Sequence, residues 1–457
     1  MSPNRRSFTG IERKTNARNE GGPPIWNWRS FTGIERKSNA SWAGRAAVSL
    51  LALVLLLAAG PGVPPSVGGR PAAAQVAVPT REEAVRLVLA QRVDALMRND
   101  RGAFLDTIDP AAADEFKIRQ GHLFDGLRSL PLESYELELR IDEMPDLAAG
   151  LAARYPGAEE VFLPPVEALY RLAGIDTIDA VDGYYYTFLL RGGRWRIVSD
   201  RDLEDVGLPS ARNLWDYGPV DQQRTEHFTI LHDPADRKRA EALGTLCEQG
   251  YARLESVYDK AIPAQIVVVL PHTLEQLREI LQATFDLSNF VAFASAAVDR
   301  DDDWRSTAPR VYVQDMNLAR SRRDFQLQTF HHEFTHVSAF ALAGPFVPSW
   351  VHEGVADWMA SGEKAPSEVD GSDGLLPEDW EFTTGGAESI IRAYDESTSA
   401  MAFLAARKGK TAPLDLLAEI GELRSAPGTA EYRVDQGLQA VYGADLDQFQ
   451  EDWDGGS

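Results

Sequence analysis

The residues best suited to chemistry lie in one short run, His332-Glu333-Phe334-Thr335-His336. Two histidines four apart on a helix project from one face a single turn apart, so both imidazoles can reach one zinc ion at about 2.1 Å. Glu333 stands beside them, where it can take a proton from the water that such an ion activates. The chain has one cysteine, Cys247, which permits neither an internal disulfide nor a multi-cysteine metal site. Any metal must therefore be held by histidine and carboxylate. Cys247, on a helical pattern with Leu246 and Tyr251, reads as a small buried apolar residue.

The elements that position this run follow from periodicity. Phe330, Phe334, Val337 and Ala341 form one apolar stripe at helical spacing, expected to pack in the core, with His332 and His336 roughly opposite. His331 points about 100° away from His332 and is read as incidental. Gly344-Pro345 closes this helix. A second helix runs from an expected N-cap at Ser349 to a stop at Gly362, so the two must reverse and pack. It carries Glu353, 17 positions after His336, and Asp357 one turn further on the same face. Glu353 completes a His, His, Glu ligand set, and Asp357 can accept the other imidazole N–H of a ligand histidine. Gly354 and Ala356 are small enough for close helix approach. Upstream, Val311 to Val313 reads as a short strand expected to offer its edge to a peptide backbone.

The pair HEFTH and PSWVHEGVADW resembles the gluzincin zinc metallopeptidases, most closely the peptidase-MA-like group, over roughly Glu226 to Trp453. The resemblance implies a zincin-type domain: a small mixed sheet, the HExxH helix and a mainly helical C-terminal part. It implies one zinc ion per chain on His332, His336 and Glu353, with Glu333 as general base and Asp357 supporting a ligand histidine. His352, directly before the ligand Glu353, departs from the pattern and is expected to face solvent or to stand behind the ligands. Gluzincins commonly place a tyrosine or histidine donor after the third ligand. No histidine follows His352, so Tyr394, expected to open a helix, is assigned as the catalytic donor to the developing oxyanion, with Tyr432 and Tyr442 further along.

Upstream of this domain, Ala84, Val85, Val88, Leu89 and Val93 recur at helical spacing. Ser134 to Ile141 alternates as a half-buried strand, and Tyr184 to Leu190, Gly192-Gly193 and Trp195 to Val198 read as a hairpin. Helices followed by long antiparallel strands ending in GGRWRIVSD resemble the NTF2-like cone-shaped fold over residues 81–205. A linker, 206–223, then leads to the metallopeptidase domain at 224–457, giving an α+β chain. Arg237 to Tyr258 and Thr273 to Ala283 read as helices, and His227 to Leu231 and Ala264 to Leu270 as strands.

The chain has 457 residues, 44% hydrophobic and 25% charged, which excludes wholesale disorder, a fibrous repeat and a polytopic membrane protein. Its net charge is -23, unevenly spread. The first 45 residues hold nine basic and three acidic side chains; the rest holds 37 and 66, a net of -29 that disfavours nucleic acid as a partner. The basic head duplicates RSFTGIERK at Arg6 to Lys14 and Arg29 to Lys37 and is expected to be disordered and cytoplasmic. Ala46 to Gly60 is an uncharged run of 15 residues, a signal-peptide core or a short signal anchor. With Arg29, Arg36, Lys37 and Arg45 before it, everything after Gly60 should be exported. A Pro/Gly/Ala spacer, 61–80, includes a signal-peptidase site at Ala72-Ala73-Ala74 that lies far from the apolar core, which favours an anchored form. The acidic runs Asp299 to Asp303 and Glu363 to Asp379 lack EF-hand spacing.

The expected function is that of an exported, membrane-anchored zinc metallopeptidase acting on peptide or protein substrates. The alternative is a surface binding or assembly protein that works through the NTF2-like domain, with a structural or vestigial zinc site. Coordination discriminates them: a catalytic zinc keeps an open position, whereas a structural zinc is closed.

Overall fold

A computed structural model describes residues 79–141, 150–257, 265–283, 287, 291–299, 304–362, 369, 372, 374–382 and 387–455. The basic head, the apolar run 46–60 and all but the end of the spacer lie outside the described residues, as do parts of both acidic runs. Among the described residues no helix is long and apolar enough to cross a membrane. The chain folds as a mixed α+β protein.

A reciprocal cap between Thr80 and Glu83 opens α1 (Arg81–Met97), which buries Val85 and Leu89 as the helical spacing requires. The short α2 (Arg101–Leu105) and α3 (Asp114–Ser129) follow. The strands are β1 (Leu132–Leu139), β2 (Glu160–Phe162), β3 (Pro165–Leu172), β4 (Ala180–Tyr185), β5 (Thr187–Arg191) and β6 (Arg194–Ser199). They form two antiparallel sheets, ordered β1-β3-β4 and β2-β5-β6. The expected strand Tyr184 to Leu190 is therefore divided. Tyr184 and Tyr185 belong to one sheet and Thr187 onward to the other, because the chain changes sheets at Tyr186. The Gly192-Gly193 turn joins β5 to β6 with φ of 54° and 69°, the left-handed conformation a two-residue hairpin needs.

Next come β7 (Asp221–Arg224), β8 (Phe228–His232), α4 (Arg237–Val257), β9 (Ile266–Leu270), α5 (Leu274–Ile280), β10 (Ala292–Asp299) and β11 (Arg305–Val313). These strands make one five-stranded sheet, ordered β10-β11-β9-β8-β7. Strands β8, β9 and β11 run parallel, and the two outer strands are antiparallel to their neighbours. Val311 to Val313 consequently lies on an interior strand, paired on both sides through β10 and β9. It cannot offer an edge to a peptide; the terminal strand on that side is β10.

Residues 266–270 are buried without alternation because both sheet faces are covered. Ile266, Val268, Leu270, Val311 and Val313 pack into the core that includes Phe330 and Phe334, while Val267 and Val269 pack with the core of the N-terminal unit. A buried ion pair, Arg310–Asp176 at 2.7 Å, ties the sheet to that unit. The 206–223 segment is packed too: Leu214 and Trp215 are buried in the N-terminal core, and β7 begins at Asp221.

The remaining helices are α6 (Asp315–Arg320), α7 (Arg323–Ala343), α8 (Ser349–Ala360), α9 (Ala387–Lys408), α10 (Ala412–Glu422), α11 (Ala430–Val441) and α12 (Leu446–Asp454). Helix α7 buries Phe330, Phe334 and Val337; Ala341, expected on the same stripe, is exposed, and Phe340 and Ala343 are buried near that end instead. It packs tightly on α4, where a Cβ on Gly250 would lie 2.7 Å from Phe330 Cβ. Pro348, not Ser349, stands at the N-cap of α8. Ser349 is the first helical residue, and its backbone N–H donates to Asp379 Oδ1 at 2.8 Å. Gly362, at φ 76°, follows the end of α8.

Candidate metal centre

Helix α7 presents His332 and His336 one turn apart, and the reversal at 344–348 lays α8 against them. The two histidines and Glu353 offer donor atoms that all lie within 4.8 Å of one another. Glu353 Oε2 stands 3.2 Å from both His332 Nε2 and His336 Nε2, and those two nitrogens are 2.9 Å apart. Close approach of α8 to α9 is possible because residue 354 is glycine: a Cβ there would lie 2.5 Å from the Ser397 carbonyl oxygen.

Behind the ligand atoms, Asp357 Oδ1 meets His332 Nδ1 at 2.7 Å, which turns Nε2 toward Glu353. His352 is not solvent-facing. Its ring stacks on His336 with centroids 4.5 Å apart, its Nδ1 lies 2.6 Å from His336 Nδ1, and Phe340 packs against it. Thus each ligand histidine has a partner on α8 at its other nitrogen. Tyr394 sits in the second full turn of α9 rather than opening it. Its ring tilts against His332 at 6.4 Å and meets Phe382 edge-on, and burial, with Glu353 and Asp357 close by, pushes its hydroxyl well above the usual range. Tyr432 is exposed, and the Tyr442 hydroxyl donates to Asp452 at 2.7 Å, so neither shares this arrangement.

Glu333 is buried, and the backbone N–H of Ala294 on β10 favours its charged form. Burial raises its carboxyl above the usual range, with Glu353 adding to the rise and the imidazoles of His332 and His336 opposing it. For Glu353, burial also favours the neutral form, but His336 and His332 outweigh it and hold the carboxyl well below the usual range. His332 moves the other way. Burial disfavours its charge, yet Asp357 and Glu353 lift it well above the usual imidazole range. Burial followed by His336 keeps His352 well below that range, and burial keeps His331 at about 4, helped by Arg253 and His332. His331 is buried with Nε2 unbonded and is not among the converging donors.

The donor set fits a small dication. Glu353 Oε2 is buried and has no well-aligned hydrogen-bond donor, although two imidazole nitrogens face it. Ligands on a tetrahedral zinc at about 2.1 Å stand roughly 3.4 Å apart, close to the spacing present here. A dication there would balance the carboxylate and take up the two imidazole lone pairs. Sequence periodicity placed His332, Glu333, His336, Glu353 and Asp357 on their helix faces. It missed Ala294, whose strand of small residues carries no distinguishing pattern, and Phe340, one helical turn after His336.

Searches against protein-family models, curated proteins and solved structures return no match to this chain.

Proposed function

We propose that this chain is an exported, membrane-anchored zinc metallopeptidase of the gluzincin type, with an N-terminal NTF2-like domain and a zincin-type catalytic domain. The observation that carries the reading is the convergence of His332, His336 and Glu353 with a buried, non-ligating Glu333 beside them. His332, His336 and Glu353 would hold the ion. When bound, zinc supplies Lewis acidity that polarises a peptide carbonyl and makes water a better nucleophile at neutral pH.

The protein's own groups account for the remaining work. Glu333 takes the proton from attacking water and returns it to the leaving amine; a carboxyl raised by burial is suited to both transfers. Ala294 N–H favours the charged form of that carboxylate from β10, the terminal strand along which an extended peptide would lie. Asp357 and His352 hold the two ligand imidazoles in orientation. Tyr394, whose ring lies against His332, supplies the hydroxyl donor for a developing oxyanion.

The test is zinc content measured beside hydrolysis of a quenched-fluorescence peptide library, on the full-length chain and on Glu333→Gln. The native chain should hold one zinc and cleave peptides; the variant should keep the zinc and lose hydrolysis. Near-normal cleavage by Glu333→Gln, or no cleavage by the zinc-loaded native chain, would overturn the reading.

A further inference from the structure

We propose that the N-terminal unit binds a small organic anion, with phosphate or carboxylate groups on an apolar body, in a cleft walled by four arginines. The cleft has a volume of about 520 Å³ and lies far along the chain from the metal centre, among the start of α3, residues 154–156 and the ends of β5 and β6. That volume suits a small molecule. Arg119, Arg154, Arg191 and Arg201 line it, against one acidic lining residue, Glu115. In a body with a net charge of -29 beyond residue 45, four arginines along one cleft run against the prevailing sign.

Of the acids that hold these arginines only Glu115, 3.2 Å from Arg119, is itself a lining residue. Asp200, 4% exposed, takes Arg119 at 2.7 Å, and Asp109, 1% exposed, faces Arg191 at 3.5 Å. Asp202 and Asp205 face Arg154 at 3.5 and 3.3 Å, and Glu204 faces Arg201 at 3.4 Å. Apart from the Arg119 contact, these are loose pairs. They orient the guanidiniums without saturating them, since each guanidinium has five N–H donors. Arg191 Nε and Arg201 Nε are buried and turned toward Asp109 and Glu204, so it is the Nη groups that are left to face the cleft.

The start of α3 adds to the same field. Ala113, its N-cap, lines the cleft and has no side chain to accept the first-turn amides of this 16-residue helix. Phe116, Tyr155 and Val198 supply apolar wall, so the ligand needs a nonpolar part as well as charge. This inference does not depend on the peptidase reading.

Binding should be measured by calorimetry on the full-length chain at constant ionic strength, with phenyl phosphate, phthalate, inorganic phosphate and phenol as probes. Phenyl phosphate or phthalate should bind saturably and more tightly than inorganic phosphate, and phenol should not bind. The order of the first two identifies the anionic group. Arg154→Gln, at a half-exposed side chain, and Arg191→Gln should each weaken binding about tenfold, while Arg98→Gln on α1 should not. Melting curves identify any variant that has not folded, and Arg154→Gln then carries the test. The proposal is overturned if neither ring-bearing anion binds at about ten millimolar, or if both cleft variants fold and bind as the native chain does.

Discussion

Asp357→Ala tests how the metal centre is oriented without touching a ligand. Asp357 accepts from His332 Nδ1 at 2.7 Å, a charge-assisted length, and the two side chains are 33% and 13% exposed. A hydrogen bond to a charged group contributes about 1.5–3 kcal/mol when well formed. Partial exposure of the carboxylate reduces that, and only the part that differs between metal-free and metal-bound protein reaches the affinity. What remains is about 1.4–2.7 kcal/mol, so zinc affinity should fall roughly ten- to a hundredfold. Asp357→Asn keeps an acceptor oxygen but no charge and should fall between. Competition against a chromophoric chelator at fixed pH measures all three proteins, with Glu353→Ala, which removes a ligand, as the lower bound. An Asp357→Ala affinity within about twofold of the native value would refute the reasoning, because His332 would then be oriented by packing alone.

Tyr394→Phe should lower turnover by on the order of a hundredfold with zinc affinity nearly unchanged if the hydroxyl serves the oxyanion; weakened zinc binding at full turnover would instead assign it to Glu353. Gly354→Ala places a Cβ 2.5 Å from the Ser397 carbonyl oxygen, so α8 and α9 must separate. A loss of about 1–3 kcal/mol in denaturant unfolding is expected, together with lower zinc occupancy, and an unchanged midpoint would contradict the packing. Burial pushes Asp216 up to about 7 against the opposing charge of Arg212, whereas the unfolded chain titrates near its ordinary 3.8. Its contribution to stability is therefore present below about pH 4 and lost as pH rises toward 7. Asp216→Asn keeps an acceptor for the Asn213 backbone N–H, and its melting temperature should gain on the native chain between pH 5 and pH 8; a constant difference across that range would rule the carboxyl out.

Local periodicity determined which residues of α7 and α8 share a face. His332 and His336 are one turn apart by helix geometry alone, and so are Glu353 and Asp357. It also gave the bounds of α4, α5 and α8 to within a few residues and the pairing across Gly192-Gly193, because capping and turn conformation act over neighbouring residues. Tertiary structure decided everything that needed a second element. Val311 to Val313 has a strand's sequence, but strand order is a matter of distant partners, and pairing with both β9 and β10 put it inside the sheet. The 206–223 segment looked like a linker until Leu214 and Trp215 found a core made by residues far upstream. Helical angle could place His352 away from Glu353, yet only the crossing of α7 and α8 set its ring on His336. Ala294 reached Glu333 because the terminal strand of the sheet runs past α7. A side chain's direction is fixed by its own helix or strand; what it meets there depends on how separate elements pack.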